Sequence, residues 1–148
     1  QPKGYFEYVV PPLEGLWWME GDKYLGTTGL AGQKDKFQWI SMIRQPEFVT
    51  PDVFEWAKEN LRKKKPDIDL SSTRLVTYKE GLCCQVMHIG PYDDEPATIE
   101  KLGRFIEESG YICDIGEGRR HHEIYLGDPR RTKPERLRTV IRHPVRKA

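Results

Sequence analysis

The run His121-His122-Glu123-Ile124-Tyr125-Leu126 constrains this chain more than any other stretch. It reads as a short strand, and side chains on a strand alternate between two faces. Glu123 and Tyr125 therefore share one face, and Ile124 and Leu126 share the other. If the Ile/Leu face packs on helices, Glu123 looks at whatever lies opposite. A carboxylate among aromatic neighbours costs free energy unless something pairs with it. That marks Glu123 as a binding or catalytic group. The competing reading is a rim glutamate in water.

The chain has 148 residues, the size of one domain, so one domain over 1–148 is expected. Hydrophobic residues make up 37% and charged residues 32%, enough for a core under a well-solvated surface. A formal net charge of +1 supplies no field that favours nucleic acid or an anionic membrane. No apolar run approaches the ~20 residues of a membrane span. Neither nucleic acid nor membrane is expected as a partner. Cys83, Cys84 and Cys113 form no spaced framework. That points to a reducing cytoplasm, and Cys83 and Cys84, neighbours in a strand, read as small core residues. No signal peptide is visible, and an N-terminal Gln points to a processed, trimmed or partial chain.

In chain order, Gly4 to Val10 reads as a strand stopped by Pro11-Pro12, with Phe6 and Tyr8 on one face. Leu13 to Trp18 follows as a short extended run. The glycine-rich stretch 20–36 reads as a long loop, a candidate lid, with no phosphate-loop ending. Phe37 to Arg44 is a strand carrying Trp39. Thr50-Pro51-Asp52 starts a helix, and Val53, Phe54, Ala57 and Leu61 recur at helical spacing. Arg62 to Lys65 sits where the helix dipole favours positive charge, and Pro66 stops the helix. Thr73 to Tyr78 and Leu82 to Ile89 read as a hairpin turning at Lys79-Glu80-Gly81. Pro96 begins a second helix with Ile99, Leu102, Phe105 and Ile106 on one stripe, ended by Gly110. The Glu123 strand, a Gly127-Asp128-Pro129 turn, a basic connection and a last strand at about Leu137 to His143 complete the chain.

Met42, Pro46, Pro51 and Ala57 recur 45 positions later as Met87, Pro91, Pro96 and Leu102, a weak internal echo. The part from Leu82 onward reads strand–helix–strand–strand. The earlier part shows two strands with no strand–helix before them. A zinc site at His121-His122 is disfavoured because adjacent strand residues diverge. His88 in a strand reads as a hydrogen-bonded structural histidine. No Gly-x-Ser-x-Gly is present, so that type of serine hydrolase is disfavoured. Arg130, Arg131, Lys133, Arg136 and Arg138 read as solvated surface. No metal and no cofactor are expected.

Aromatics are 11% of the chain. Phe6, Tyr8, Trp17, Trp18, Trp39, Tyr92 and Tyr125 exceed what a small core needs. Flat rings with one acid suit planar, hydrophobic and often cationic ligands. The competing reading is that most of these rings only fill the core.

Five segments together resemble the GyrI-like small-molecule-binding family. They are Tyr5-Phe6-Glu7-Tyr8 with Pro12-Leu13-Glu14-Gly15-Leu16-Trp17, and Met42-Ile43-Arg44-Gln45-Pro46 with Phe48-Val49-Thr50. The others are His88-Ile89-Gly90-Pro91-Tyr92-Asp93-Asp94-Glu95-Pro96, His122-Glu123-Ile124-Tyr125-Leu126 with Asp128-Pro129-Arg130, and Ile141-Arg142-His143-Pro144-Val145. The likeness is to the stand-alone branch and covers nearly the whole chain. It implies an α+β fold of duplicated β-α-β-β units, with an antiparallel sheet, helices packed on it, pseudo-twofold symmetry and a ligand cleft between the halves. Family members carry a further strand and helix before Gly4. A clipped chain, or completion by another copy, would account for that difference, so a monomer or a homodimer is expected.

The resemblance also implies that Glu123 lies in the cleft. One expectation is a cytoplasmic binder of amphipathic or cationic xenobiotics, with Phe6, Tyr8, Trp17, Trp18, Trp39, Tyr92 and Tyr125 around Glu123. Desolvation should then raise the pKa of Glu123 in the empty site. A second is a hydrolase that opens the cyclopropane of DNA-alkylating natural products. There Glu123 handles a water, and a phenol of Tyr92 or Tyr125 bonds the oxygen that gains charge. A third is a protein that modulates a topoisomerase.

Overall fold

A computed structural model describes residues 1–19 and 37–148. The expected loop and lid at 20–36 lie outside the described residues. The chain divides into two compact units, 1–11 with 44–79 and 12–43 with 80–148. No described helix is long and apolar enough to cross a membrane.

The first unit holds one helix, α1 (Pro51–Lys64). Thr50 caps it by accepting the Val53 amide at 3.3 Å. Arg62, Lys63 and Lys64 occupy its last turn, where they meet the negative end of the dipole. The expected strand at Gly4 to Val10 is not formed; the segment turns at its start and joins no ladder. The rings of Tyr5, Phe6 and Tyr8 instead gather around Phe48, with centroids at 5.1, 5.3 and 5.7 Å. Thr73 to Tyr78 is also no strand. Val76 is 68% exposed, so its alternation has nothing to pack against. Strand propensity without a packed face is not enough.

The second unit is α+β: an antiparallel sheet of β1 (Leu13–Met19), β2 (Phe37–Met42), β3 (Cys83–Ile89), β4 (Tyr111–Cys113), β5 (His121–Tyr125) and β6 (Arg138–Lys147), with α2 (Glu95–Glu108) on it. The order is β2-β1-β5-β6-β3, and β4 pairs with β6. The partner of β3 is therefore β6 and not Thr73 to Tyr78. The chain between them is tied toward β6: Arg119 donates to the carbonyls of Glu80 and Leu82, and the Val145 amide bonds Leu82. The last strand runs further than expected, through Pro144 to Lys147.

The register assigns the two faces. Glu123 stands opposite Gly15 on β1 and Ile141 on β6. Ile141 is fully buried with Ile99, Leu102 and Ile106 of α2 and Val145. The helix thus packs on the face that carries Glu123, and the Ile124/Leu126 face is the other one. This reverses the expected arrangement. The helix stripe covers β3 and β6 and leaves the same face of β1, β2 and β5 for other contents. Gly110, with φ +81, ends the helix in a backbone conformation that favours glycine.

Candidate functional site

Over the uncovered part of that face lies a cavity of about 880 Å³, wholly within the second unit. Strand alternation delivers its walls. Trp17 faces Trp39 across the β1–β2 pair, and their rings stack at 5.7 Å with 28° between planes. Phe37 sets its ring edge-on to Trp17 at 6.2 Å. Tyr125 leaves β5 on the same face, and Tyr92 meets it edge-to-face at 6.2 Å. Tyr92 is carried by the 3-10 turn Tyr92–Asp94. His88 steadies that turn, with Nε2 donating to the Pro91 carbonyl at 2.8 Å and Nδ1 accepting from Thr98 at 2.7 Å. Asp128 and Arg130 also line the cavity and pair with each other in water.

Glu123 is 5% exposed among these rings. The Tyr125 hydroxyl donates to its Oε1 at 3.2 Å and itself accepts from the Trp17 indole N–H at 2.8 Å. His121 Nε2 bonds Oε2 at 2.7 Å, and His121 Nδ1 meets His143 Nε2 at 2.7 Å. Burial pushes the Glu123 carboxyl upward. The hydrogen bond and charge of His121, with hydrogen bonds from Glu95 and Tyr125, outweigh burial and hold it below the ordinary glutamate value. The expectation of a raised pKa is therefore overturned, because partners and not the empty cavity surround the carboxylate. Burial, and then the charge of His121, depress His143 to about 3, so its ring is neutral. Burial, with the charge of Glu123 next, raises the phenols of Tyr92 and Tyr125, so both stay protonated.

Gly15 is what lets this chain of bonds form. A Cβ built there would stand 2.7 Å from Trp17 Nε1 and 3.1 Å from the Tyr125 hydroxyl. The two polar tips meet in the space that a side chain would fill.

Of the residues singled out from the sequence, Trp17, Trp39, Tyr92, Glu123 and Tyr125 line this cavity. Trp18 does not. Adjacent strand residues diverge, and Trp18 lies on the opposite face, bonded to Gln38 and under the Arg120 guanidinium at 4.8 Å. Phe6 and Tyr8 belong to the first unit, in the cluster around Phe48. His121 and His122 likewise part: His122 bonds Glu14 and Glu80 on the far face at 2.7 and 2.9 Å. Sequence reasoning missed Phe37, His121, His143 and Glu95 as parts of the site. For Glu95 a signal existed, an acid directly before a helix-starting Pro96 and three residues after Tyr92.

Glu95 is 3% exposed and lines the cavity. Donor atoms of Glu95, His121 and Glu123 lie within 4.8 Å of one another, close enough to hold a cation. Two of these atoms, His121 Nε2 and Glu123 Oε2, already bond each other at 2.7 Å.

The profile of the GyrI-like small molecule binding domain matches residues 46–146. Three crystal structures from Listeria innocua are similar to the chain. One is of a hydrolase, 44% identical over 99% of this chain and 68% of that one, with a TM-score of 0.85. Another is of an uncharacterized conserved protein, 48% identical over 97% and 67%, with a TM-score of 0.88. The third is of a hydrolase encoded by lin2189, 44% identical over 99% and 68%, with a TM-score of 0.86. This chain thus spans about two thirds of their length. No curated protein matches the chain.

Proposed function

Because this chain belongs to the GyrI-like small-molecule-binding family, we propose that its cavity takes a flat, largely apolar guest and hydrolyses a strained, electrophilic ring on it. The observation that carries this reading is Glu123: a buried carboxylate held ionised, with both oxygens oriented, at the end of a cavity walled by rings.

A carboxylate has about four acceptor positions, so Glu123 can accept from a water as well as from its present partners. The water proton passes to Glu123 as the water oxygen bonds the ring carbon. The strained C–C bond breaks, and its electron pair runs to a conjugated carbonyl oxygen, which takes up a proton from solvent as Glu123 releases its own, for a net gain of one water. Tyr92 suits that oxygen, since its hydroxyl has no hydrogen-bond partner among the described residues and its phenol stays protonated. Tyr125 is less suited to it, because its hydrogen already goes to Glu123. Its role here is to orient the carboxylate. A base with a low pKa is a weak one, which fits a substrate that strain has made reactive.

The test is incubation with a cyclopropane-bearing alkylator followed by mass spectrometry. Gain of one water is expected, with a kcat about 10²–10⁴-fold lower for Glu123→Gln. Recovery of intact compound rejects hydrolysis. A binding-only reading is favoured by one observation, the stacked Trp17 and Trp39 beside a carboxylate, which suits a cationic amphiphile. Its mark is intact ligand with affinity weakened by Glu123→Gln; unchanged affinity removes the carboxylate from that account.

A further inference from the structure

We propose that Glu95 is the general acid partner of Glu123, and that the two carboxyl groups equip this cavity to add water across an aryl epoxide. The inference rests on the hydrolytic reading of the same site and widens its substrate class from strained carbocycles to three-membered oxygen heterocycles.

Glu95 is the first residue of α2 and Glu123 the middle residue of β5. Both are buried, both line the cavity, and their nearest oxygens lie within 4.8 Å. A hydrogen bond joins them. Two carboxyl groups in hydrogen-bond contact hold one proton between them, since two anions that close repel. Glu123 is the ionised member, because His121 and Tyr125 both bond its charged form. Glu95 therefore carries the proton. The anion left after donation sits in the first turn of α2, where the helix dipole favours it. The other titratable or charged groups facing the pair are His121 and Tyr125 from β5, with His143 of β6 behind His121. Tyr92 and Asp93 face it from the 3-10 turn, and Asp128 and Arg130 from the turn after β5.

An epoxide needs an acid and a base at short range. The attacking water oxygen and the departing ring oxygen are separated by about 4 Å at reaction, one approach distance plus one bond. An acid and a base with oxygens no more than 4.8 Å apart can each reach one end of that span. In a conjugated cyclopropane the oxygen that gains charge is several bonds from the attacked carbon, so one adjacent pair does not serve both ends. The step balances. Glu123 takes a proton from water, and the water oxygen bonds the ring carbon. The ring C–O bond breaks with its electron pair on oxygen, and Glu95 gives that oxygen its proton. A vicinal diol leaves, and the proton on Glu123 returns to Glu95 across their hydrogen bond. No co-reactant is required.

The experiment offers the full chain styrene oxide and, in parallel, a cyclopropane-bearing alkylator. Expected is the diol from styrene oxide, with its new oxygen drawn from 18O-labelled water in a single turnover. Glu95→Gln should lower kcat by about 100-fold with KM within about threefold, and remove the alkaline limb of the pH profile, while Glu95→Asp restores part of the rate and the limb. A cooperative melt for each variant certifies folding; if Glu95→Gln does not fold, Glu95→Asp carries the pH measurement through a shifted limb. Turnover of the cyclopropane alone overturns the inference and leaves the hydrolytic reading standing. Failure on both substrates overturns both. Epoxide turnover with an unchanged limb in Glu95→Gln removes Glu95 from the acid role.

Discussion

Glu123 keeps its charge in a place with little water because each of its oxygens has a donor. Removing a partner from a buried charge costs more than an ordinary hydrogen bond. Gly15 guards that arrangement indirectly. Gly15→Ala should push Trp17 Nε1 away from the Tyr125 hydroxyl and release Tyr125 from Glu123. A stability loss of about 1–3 kcal/mol and weakened binding are expected, read by thermal melting and by quenching of Trp17 and Trp39. An unchanged affinity would show that the bond chain does not hold the carboxylate.

His143 carries the pH prediction. Its folded pKa is about 3, below the ordinary 6.5, so the unfolded chain binds a proton that the folded chain refuses. Its contribution is complete above about pH 6.5 and is lost as pH falls toward about 3, at a scale of a few kcal/mol. Glu123, depressed as well, adds a loss at lower pH, below the ordinary glutamate range. Urea melts from pH 7 to pH 4 should show falling stability, and His143→Gln should flatten that slope. A slope equal to wild type would mean that His143 is not the group that titrates.

At the scale of elements, α2 does two jobs with one stripe. Ile99, Leu102 and Ile106 pack on β3 and β6, and the start of the same helix presents Glu95 to the cavity. Leu102→Ala should cost about 2–5 kcal/mol. Because the helix is the mount for Glu95, the proposed turnover should fall with it even at temperatures where the variant is folded. The stripe was legible from the 3.6-residue spacing, as was α1 from Thr50 and Pro51. These signals are local: a cap, a proline and a periodicity need no distant partner. The hairpin of Thr73 to Tyr78 with Leu82 to Ile89 was misread for the opposite reason. Two adjacent apolar runs look like partners, yet β3 pairs with a strand some 50 residues later.

At the scale of the whole molecule, a guest that binds only the folded chain stabilises it by mass action. At 100 times its Kd the gain is about 2.7 kcal/mol, a rise of about 5–10 °C in Tm. A smaller rise is expected in Glu123→Gln. Because Glu123, His121 and Glu95 are buried, added salt should change affinity less than about twofold. A steep salt dependence would place the decisive charges at Asp128 and Arg130, in water.

By itself the sequence determined the α+β class, both helices, the strand at His121 to Tyr125 and the alternation that sets Glu123 beside Tyr125. Each follows from residues a few positions apart, and the family likeness rests on such short segments. Only the tertiary structure decided which face the helix covers, that Trp18 turns away, and that Glu95, His121 and His143 converge on Glu123. Those outcomes depend on register between strands and on a helix seated across them. Coulomb and hydrogen-bond partners brought from distant positions then set the charge of the carboxylate, which no local pattern encodes.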